Sequence, residues 1–309
     1  MKKIINLLMS LKWVCLMLFI LLFGYPIGYF VLDSSKLNSG TSVSFMDKNE
    51  GESVGAYIIN LNRSKERYEY IKGYVKDLGL KLERVEAIDG STLSMEEISE
   101  KVDLKSYKAF LGHLPKLGTI GCSLSHIKVW QTFLEYNLQF AVIFEDDVSF
   151  DPNKVKTIID DLTRNSKLWD VVILEIHHSG CPLTIKNLVD NHHLAVYLMK
   201  VTHTGAYIIN KKAAKNLLEK ALPIKMPIDH YFTRAWELDI KFTGVENPRI
   251  VYQTFGESEI AKTQEISGEK RNTLDSLKRF MYTLQSDVIR FLYNLKLYLS
   301  MQLQINDQS

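Results

Sequence analysis

The chain has 309 residues, room for one large domain or two modest ones, and its 46% hydrophobic and 24% charged content allows a sizeable core. Basic side chains number 38 against 36 acidic, a net charge of +2 that gives no support to nucleic-acid binding, which calls for a basic excess on one face. Cys15, Cys122 and Cys181 form no C-x-x-C pair, which excludes a disulfide framework and argues against a structural zinc site.

Lys2, Lys3 and Lys12 precede twenty uncharged residues, Trp13 to Leu32. A helix of that length spans a hydrocarbon layer of ~30 Å at ~1.5 Å per residue. No small-x-small cleavage site follows, so the segment reads as an uncleaved anchor rather than a signal peptide. The lysines on its leading side put the N-terminus in the cytoplasm. Residues 33–54, rich in Ser, Gly, Asn and charge, read as a flexible stem.

A first strand is expected at Gly55–Leu61. A helix follows, with Ser64 placed to cap it and Ile71, Val75 and Leu78 on its apolar face, and Gly79 ends it. Leu82–Ile88 reads as a second strand closed by Asp89-Gly90, completing a strand–helix–strand unit whose loops lie at the carboxyl edge of an open sheet. Residues 91–118 read as less regular. Leu117–His126 leads into a helix reaching Asn137, so Ser125 and His126 are expected at a helix start, with capping or packing as alternatives to ligand contact.

Further on, 155–162 reads as a helix and 169–174 as a buried strand. Strands follow at 194–201 and 205–210, then helices at 211–221 and 229–237 and a last strand at 241–251 around Pro248. Ala56–Asn60 recurs as Ala206–Asn210, an echo of shared strand composition. The paired His177-His178 and His192-His193 lack i, i+4 spacing and read as loop residues. The tail carries Leu277, Phe280, Leu284, Val288, Phe291, Leu295 and Leu299 at helical spacing, with Lys278, Arg279, Arg290 and Lys296 among its polar positions. It either packs on the domain or lies in a membrane interface.

The chemistry concentrates where the apolar run Phe140–Phe144 ends in Glu145, Asp146 and Asp147. A buried strand delivering carboxylates at its C-terminal end suits a hard cation; a strand entering an acidic, solvated turn is the competing reading. Alternation favours Glu145 and Asp147 on one side unless the chain turns first.

The ordered series NLNRSKERYE, EAIDG, GTIGCSLSH, AVIFEDDVSF, WDVVIL, THTGAYIINKKAAKNLL and PIDHYF resembles glycosyltransferase family 25, over about residues 55–255. The resemblance implies an α/β, GT-A-like fold with a mixed, mostly parallel central sheet; outside it, the cytoplasmic lysines and transmembrane anchor of 1–32 and the stem precede the domain. The catalytic domain would be 55–260, and 261–309 a linker and amphipathic C-terminal helix. It also implies a UDP-sugar donor, typically UDP-galactose, transferred with inversion to a saccharide or glycoconjugate hydroxyl.

On that resemblance, Glu145, Asp146 and Asp147 would supply the site for Mn²⁺ or Mg²⁺ beside the donor diphosphate. Asn60, Leu61, Arg63, Arg67, Asp89, Gly121, Ser125 and His126 would line the donor pocket, with the guanidinium groups suited to phosphate. For Arg67 a solvated helix face, and for Asp89 a turn-forming role, are the alternatives. Asp229 or Glu175 would be the base that takes the acceptor proton, with N-capping the other reading of Asp229; His203, Thr204 and Gly205 would shape the acceptor site. The membrane would be the bacterial inner membrane or the Golgi or ER, according to source. The rival functions are a non-catalytic glycan- or partner-binding member and a metal-dependent nucleotidyl or phosphoryl transferase. The absence of G-x-x-x-x-G-K-[ST] removes the P-loop version of the latter.

Overall fold

The computed structural model describes residues 53–176, 180–254, 260, 263–264, 266 and 273–306, all in one unit spanning 51–309. The predicted anchor, nearly all of the stem and the His177-His178 pair lie outside the described residues. Among those described, no helix is long and apolar enough to cross a membrane.

Strand β1 (Val54–Asn60) is buried along its whole length. Helix α1 (Lys65–Lys76) turns Ile71 and Val75 inward as expected, although Ser64 makes no side-chain cap bond. Gly79, at φ +66, allows the turn into β2 (Lys81–Glu86), which pairs parallel with β1. The stretch read as irregular holds two short helices, α2 (Met95–Lys101) and α3 (Leu104–Leu111). Ser94 and Glu97 form a reciprocal capping box for α2, and Asp103 caps α3 through Ser106. Both caps were legible as S-x-x-E and D-x-x-S spacings.

Helix α4 (Leu117–Glu135) takes in the whole GTIGCSLSH segment. Ser125 and His126 therefore sit more than two turns inside it, and their expected position at a helix start is corrected. Strand β3 (Phe140–Glu145) follows, then a tight turn, β4 (Val148–Phe150) and α5 (Pro152–Arg164).

The second half supplies β5 (Val171–Ile173), β6 (Pro182–Asn187), β7 (His193–Tyr197) and β8 (Ala206–Asn210), then α6 (Lys211–Lys220), α7 (Ile228–Phe232) and α8 (Ala235–Leu238). Strands β9 (Phe242–Glu246) and β10 (Val251–Gln253) replace the single strand expected around Pro248, which has no N–H to give a ladder. Likewise 229–237 divides into α7 and α8. Strand β6 went unread because it is a bulged edge strand with only Ile185 buried, so no apolar period marks it.

Eight strands form one sheet in the order β2-β1-β3-β8-β5-β9-β7-β6, and β4 pairs separately with β10. The pairings β2–β1, β1–β3 and β5–β9 are parallel; β3–β8, β8–β5, β9–β7 and β7–β6 are antiparallel. The sheet is thus mixed, and the expectation of a mostly parallel one is corrected. Strand β8 runs antiparallel between β3 and β5 and separates the parallel pairs.

Alternation along the strands builds two cores. Tyr57, Ile59, Ala141 and Ile143 face a cluster with Trp130 and Phe133 of α4 and Leu217 of α6. Ala56, Ile58, Val142 and Phe144 face the other side, with Ile71 of α1 and Ile158 and Leu162 of α5. The result is a sheet between two helical layers. Because α1 and α4 lie on opposite faces, the carboxyl ends of β1 and β3 flank a topological switch point, where open sheets bind ligands.

Helix α9 (Thr273–Asn306) packs on the same unit: Asn294 Nδ2 donates to the Tyr197 carbonyl at 2.7 Å, and Met301 and Arg290 are buried. Phe280, Leu299 and Leu303 stay exposed on it.

The turn after β2 docks on α4 through two glycines. A Cβ on Gly90 would collide with the Leu117 carbonyl, and one on Gly121 would stand 2.6 Å from Gly90 N. Helix propensity alone would make Gly121→Ala stabilising by about 1 kcal/mol. Here the backbone clash dominates, and a loss of about 1–3 kcal/mol is expected in thermal or denaturant unfolding.

Candidate functional site

At that switch point lies a cleft open to solvent. Its walls come from the end of β1 (Asn60, Leu61), the start of α1 (Arg63, Arg67), the turn after β2 (Ile88 to Gly90), α4 (Gly118, Cys122, Ser125, His126) and the acidic turn Glu145–Asp147. Ser125 fastens two of these walls, since its hydroxyl accepts from Ile88 N at 2.8 Å and donates to the Gly121 carbonyl at 2.6 Å.

The three acids are met differently. Asp146 accepts from Asn60 Nδ2 at 2.7 Å and from Arg67 Nη1 at 3.3 Å. Asn60 is fully committed: Arg84, a donor-only group, reaches its Oδ1 at 2.7 and 3.1 Å, and its amide also donates to the Ser64 carbonyl at 2.9 Å. Burial pushes the Asp146 carboxyl up despite these partners. Arg63 and Asp89 form an ion pair across the cleft wall, and Asp89 Oδ1 also holds Ser91 N at 3.1 Å. Asp89 thus both shapes its turn and lines the cleft beside Arg63.

Glu145 accepts from Thr204 Oγ1 at 2.6 Å and from His126 Nε2 at 3.3 Å. Burial raises its carboxyl, but the His126 and Thr204 bonds outweigh that cost and hold its pKa below the usual value. A buried network stands behind the His126 ring. Trp130 Nε1, which can only donate, gives its hydrogen to Tyr207 Oη at 2.9 Å. Tyr207 Oη also lies 2.9 Å from His126 Nδ1, and with its hydrogen and its second lone pair it can meet that nitrogen as donor or as acceptor; as donor it leaves the imidazole proton on Nε2, facing Glu145.

Asp147 is the acid left incomplete. Its Oδ2 accepts from Gln253 Nε2 at 3.1 Å, and its backbone carbonyl is pinned by Thr254 N at 2.8 Å. Its Oδ1 is buried without a hydrogen-bond partner among the described residues. Burial first, then the Glu145 charge, push its carboxyl up to about 7. A buried carboxylate oxygen without a partner beside a second ionised carboxylate fits a hard divalent cation. Asp146, occupied by Asn60 and Arg67, fits that role less well. A second donor set shares Glu145: Cys122 Sγ, a His126 nitrogen and a Glu145 oxygen lie within 4.8 Å of one another and can also hold a metal ion.

The two candidate bases are not in the walls of this cleft. Glu175 lies just past β5, buried, with Oε2 3.5 Å from His203 Nδ1. Gly205 joins it to the acids, because its carbonyl accepts from Glu145 N at 2.8 Å and a Cβ on it would stand 3.2 Å from Glu175 Oε2. His203 has its pKa raised by the Glu175 bond and by the charges of Asp229 and Glu145. Asp229 begins α7, half-buried, with Oδ1 accepting from His230 N at 2.8 Å. Next to it, burial lowers His230 to about 4, and Lys200 Nζ lies 3.0 Å from its Nε2.

The structure therefore brings together Asn60, Leu61, Arg63, Arg67, Asp89, Ser125, His126 and the three acids, and sets Gly121 behind the wall, against the turn at Ile88–Gly90. Sequence reading missed Arg84, Cys122, Trp130, Tyr207 and Gln253. The C-x-x-x-H spacing of Cys122 and His126 on one helix was a usable signal; for the others only the fold reveals the contact.

A model of the family described as glycosyltransferase family 25 (LPS biosynthesis protein) matches residues 54–232, more than half of the chain. Procollagen galactosyltransferase 1-A of Xenopus laevis is 29% identical over 225 residues, covering 64% of this chain and 35% of that protein. Inactive glycosyltransferase 25 family member 3 of Mus musculus is 29% identical over 124 residues, 38% of this chain and 21% of that one. The chain thus spans about a third or less of the length of the curated relatives it matches. Among solved structures, S. aureus TarS 1-349 in complex with UDP-GlcNAc aligns over 76% of this chain and 72% of its own, at 13% identity and a TM-score of 0.40, too loose a likeness to carry an argument.

The raised Asp147 carboxyl has a stability consequence. Between about pH 4 and about pH 7 the folded protein holds a proton that the unfolded chain has released, so stability falls as pH rises through that window. In EDTA at pH 8, Asp147→Asn is expected to raise the Tm by a few degrees, with little change at pH 4. An unchanged or lower Tm at pH 8 would show that the carboxylate is not under this strain.

Proposed function

Because the chain belongs to glycosyltransferase family 25, we propose that it is a metal-dependent inverting transferase. It moves a sugar, galactose from UDP-galactose, to a saccharide or glycoconjugate hydroxyl. The observation that carries this reading is the buried, partnerless Asp147 Oδ1 beside Glu145 at the carboxyl edge of the sheet.

In this reading the nucleoside lies along Leu61 and Ile88–Gly90, and Arg63 and Arg67 meet the diphosphate. Asn60 and Arg84 act at one remove, fixing Asp146, which in turn orients Arg67. Asp147 and Glu145 hold Mn²⁺ or Mg²⁺, which when bound neutralises charge on the departing UDP. Thr204 and His126 keep Glu145 ionised for that purpose.

The acceptor approaches from the side of His203 and Gly205. Of the two carboxylates there, Asp229 is the accessible one, while Glu175 is buried beside His203. Asp229 takes the acceptor proton as that oxygen bonds to the anomeric carbon and the bond to UDP breaks on the opposite face. Glu175 holds His203 in place. The apolar segment 13–32 supports attachment of the catalytic unit to a membrane, N-terminus in the cytoplasm.

UDP release by the full chain from a panel of UDP-sugars, in Mn²⁺ and in EDTA, tests the proposal. Metal-dependent release favouring UDP-galactose is expected. Asp147→Ala should stay folded by circular dichroism and lose turnover by roughly a hundredfold or more. Turnover retained at saturating Mn²⁺ would refute the metal assignment. Asp229→Asn is expected to lower kcat with acceptor while leaving UDP affinity unchanged; if only Glu175→Gln does so, the base is Glu175.

A further inference from the structure

We propose that Cys122, His126 and Glu145 form a binding site for a thiophilic divalent ion of the zinc class. It is distinct in its donor atoms from the all-oxygen Asp147 site but shares Glu145 with it. An ion here would therefore exclude a hard cation from Glu145 and act as an inhibitor.

The geometry rests on the helix. Cys122 and His126 are four residues apart on α4, so their side chains project from one face, and that face is a wall of the cleft. Glu145 comes from the end of β3 opposite. The sulfur, the imidazole nitrogen and the carboxylate oxygen lie within 4.8 Å of one another, with His126 Nε2 already 3.3 Å from Glu145 Oε1. Zinc ligands lie ~2.0–2.3 Å from the metal, so closure needs a contraction on the order of 1 Å. Three protein ligands beside an open cleft leave a fourth position for water.

The imidazole is also supported as a metal ligand should be. It is 1% exposed, and its other nitrogen is held by Tyr207 Oη at 2.9 Å, which Trp130 anchors in turn. On binding, the ion replaces the Nε2 proton; the imidazole stays neutral by carrying its proton on Nδ1, where the second lone pair of Tyr207 Oη accepts it. The Cys122 thiol gives up its proton to solvent, so one proton is released per ion. Burial raises that thiol and favours its protonated form while the site is empty. Mn²⁺ and Mg²⁺ prefer oxygen donors, so sulfur selects against them here.

The test is titration of the metal-free full chain with Co²⁺, followed by its thiolate-to-metal charge-transfer absorption. A band saturating at one ion per chain is expected, retained in Cys181→Ser and absent in Cys122→Ser, with Zn²⁺ affinity reduced roughly a hundredfold or more. No band at saturating Co²⁺, or one that survives Cys122→Ser, would overturn the proposal. A second measurement needs no variant. Zn²⁺ should slow alkylation of Cys122, mapped by mass spectrometry, at concentrations where Mg²⁺ does not; equal alkylation with and without Zn²⁺ would also overturn it. These readouts do not depend on catalysis. Competition with Mn²⁺ bears on the shared ligand alone: Zn²⁺ should displace Mn²⁺ from wild type and not from Cys122→Ser.

Discussion

Three carboxylates following one another at the end of a buried strand repel, and each loses hydration when the sheet closes around it. Much of the surrounding structure is arranged to offset that cost. Asn60 and Arg67 reach Asp146 from β1 and α1, and Arg84 on β2 reaches Asn60. His126 on α4 and Thr204 ahead of β8 reach Glu145. Gln253, on β10 beside β4, reaches Asp147 and leaves one of its oxygens unmatched among the described residues. The parallel trio β2-β1-β3, with a helix on either face, is what lets these groups converge on one edge.

The compensation is uneven, and the unevenness has functional meaning. Asp146 is consumed by structure. Glu145 is kept ionised by donors whose orientation is set by a buried Trp130–Tyr207 pair. Asp147 alone is left expensive, and a bound cation would remove that expense. Stability given up at one carboxylate is then recovered on ligand binding, a common arrangement where a site must be ready before its ligand arrives.

Much of the frame was legible in the chain. The β1–α1–β2 unit, the strand that ends in acids and the helix after Asn210 follow from apolar periodicity and turn residues. What escaped has physical reasons. A strand at a sheet edge such as β6 buries too little to show a period, and α2 and α3 announce themselves only through caps. Direction is also hidden: nothing in the composition of Ala206–Asn210 says that it enters antiparallel between β3 and β5. At the site, the acids and the cleft arginines could be listed from sequence. The partners that decide their states could not, because Arg84, Tyr207 and Gln253 lie far from the acids in the chain, and packing alone brings Gln253 to Asp147, Arg84 to Asn60 and Tyr207 to His126.

Calorimetric titration of UDP into the full chain, with Mn²⁺ and with EDTA, addresses the central claim most directly. If the acids of the β3 turn hold a cation that the diphosphate needs, UDP should bind at least roughly tenfold more tightly with Mn²⁺, and Asp147→Asn should reduce binding to the EDTA level. Equal affinity in Mn²⁺ and EDTA, with Asp147→Asn indistinguishable from wild type, would contradict the account.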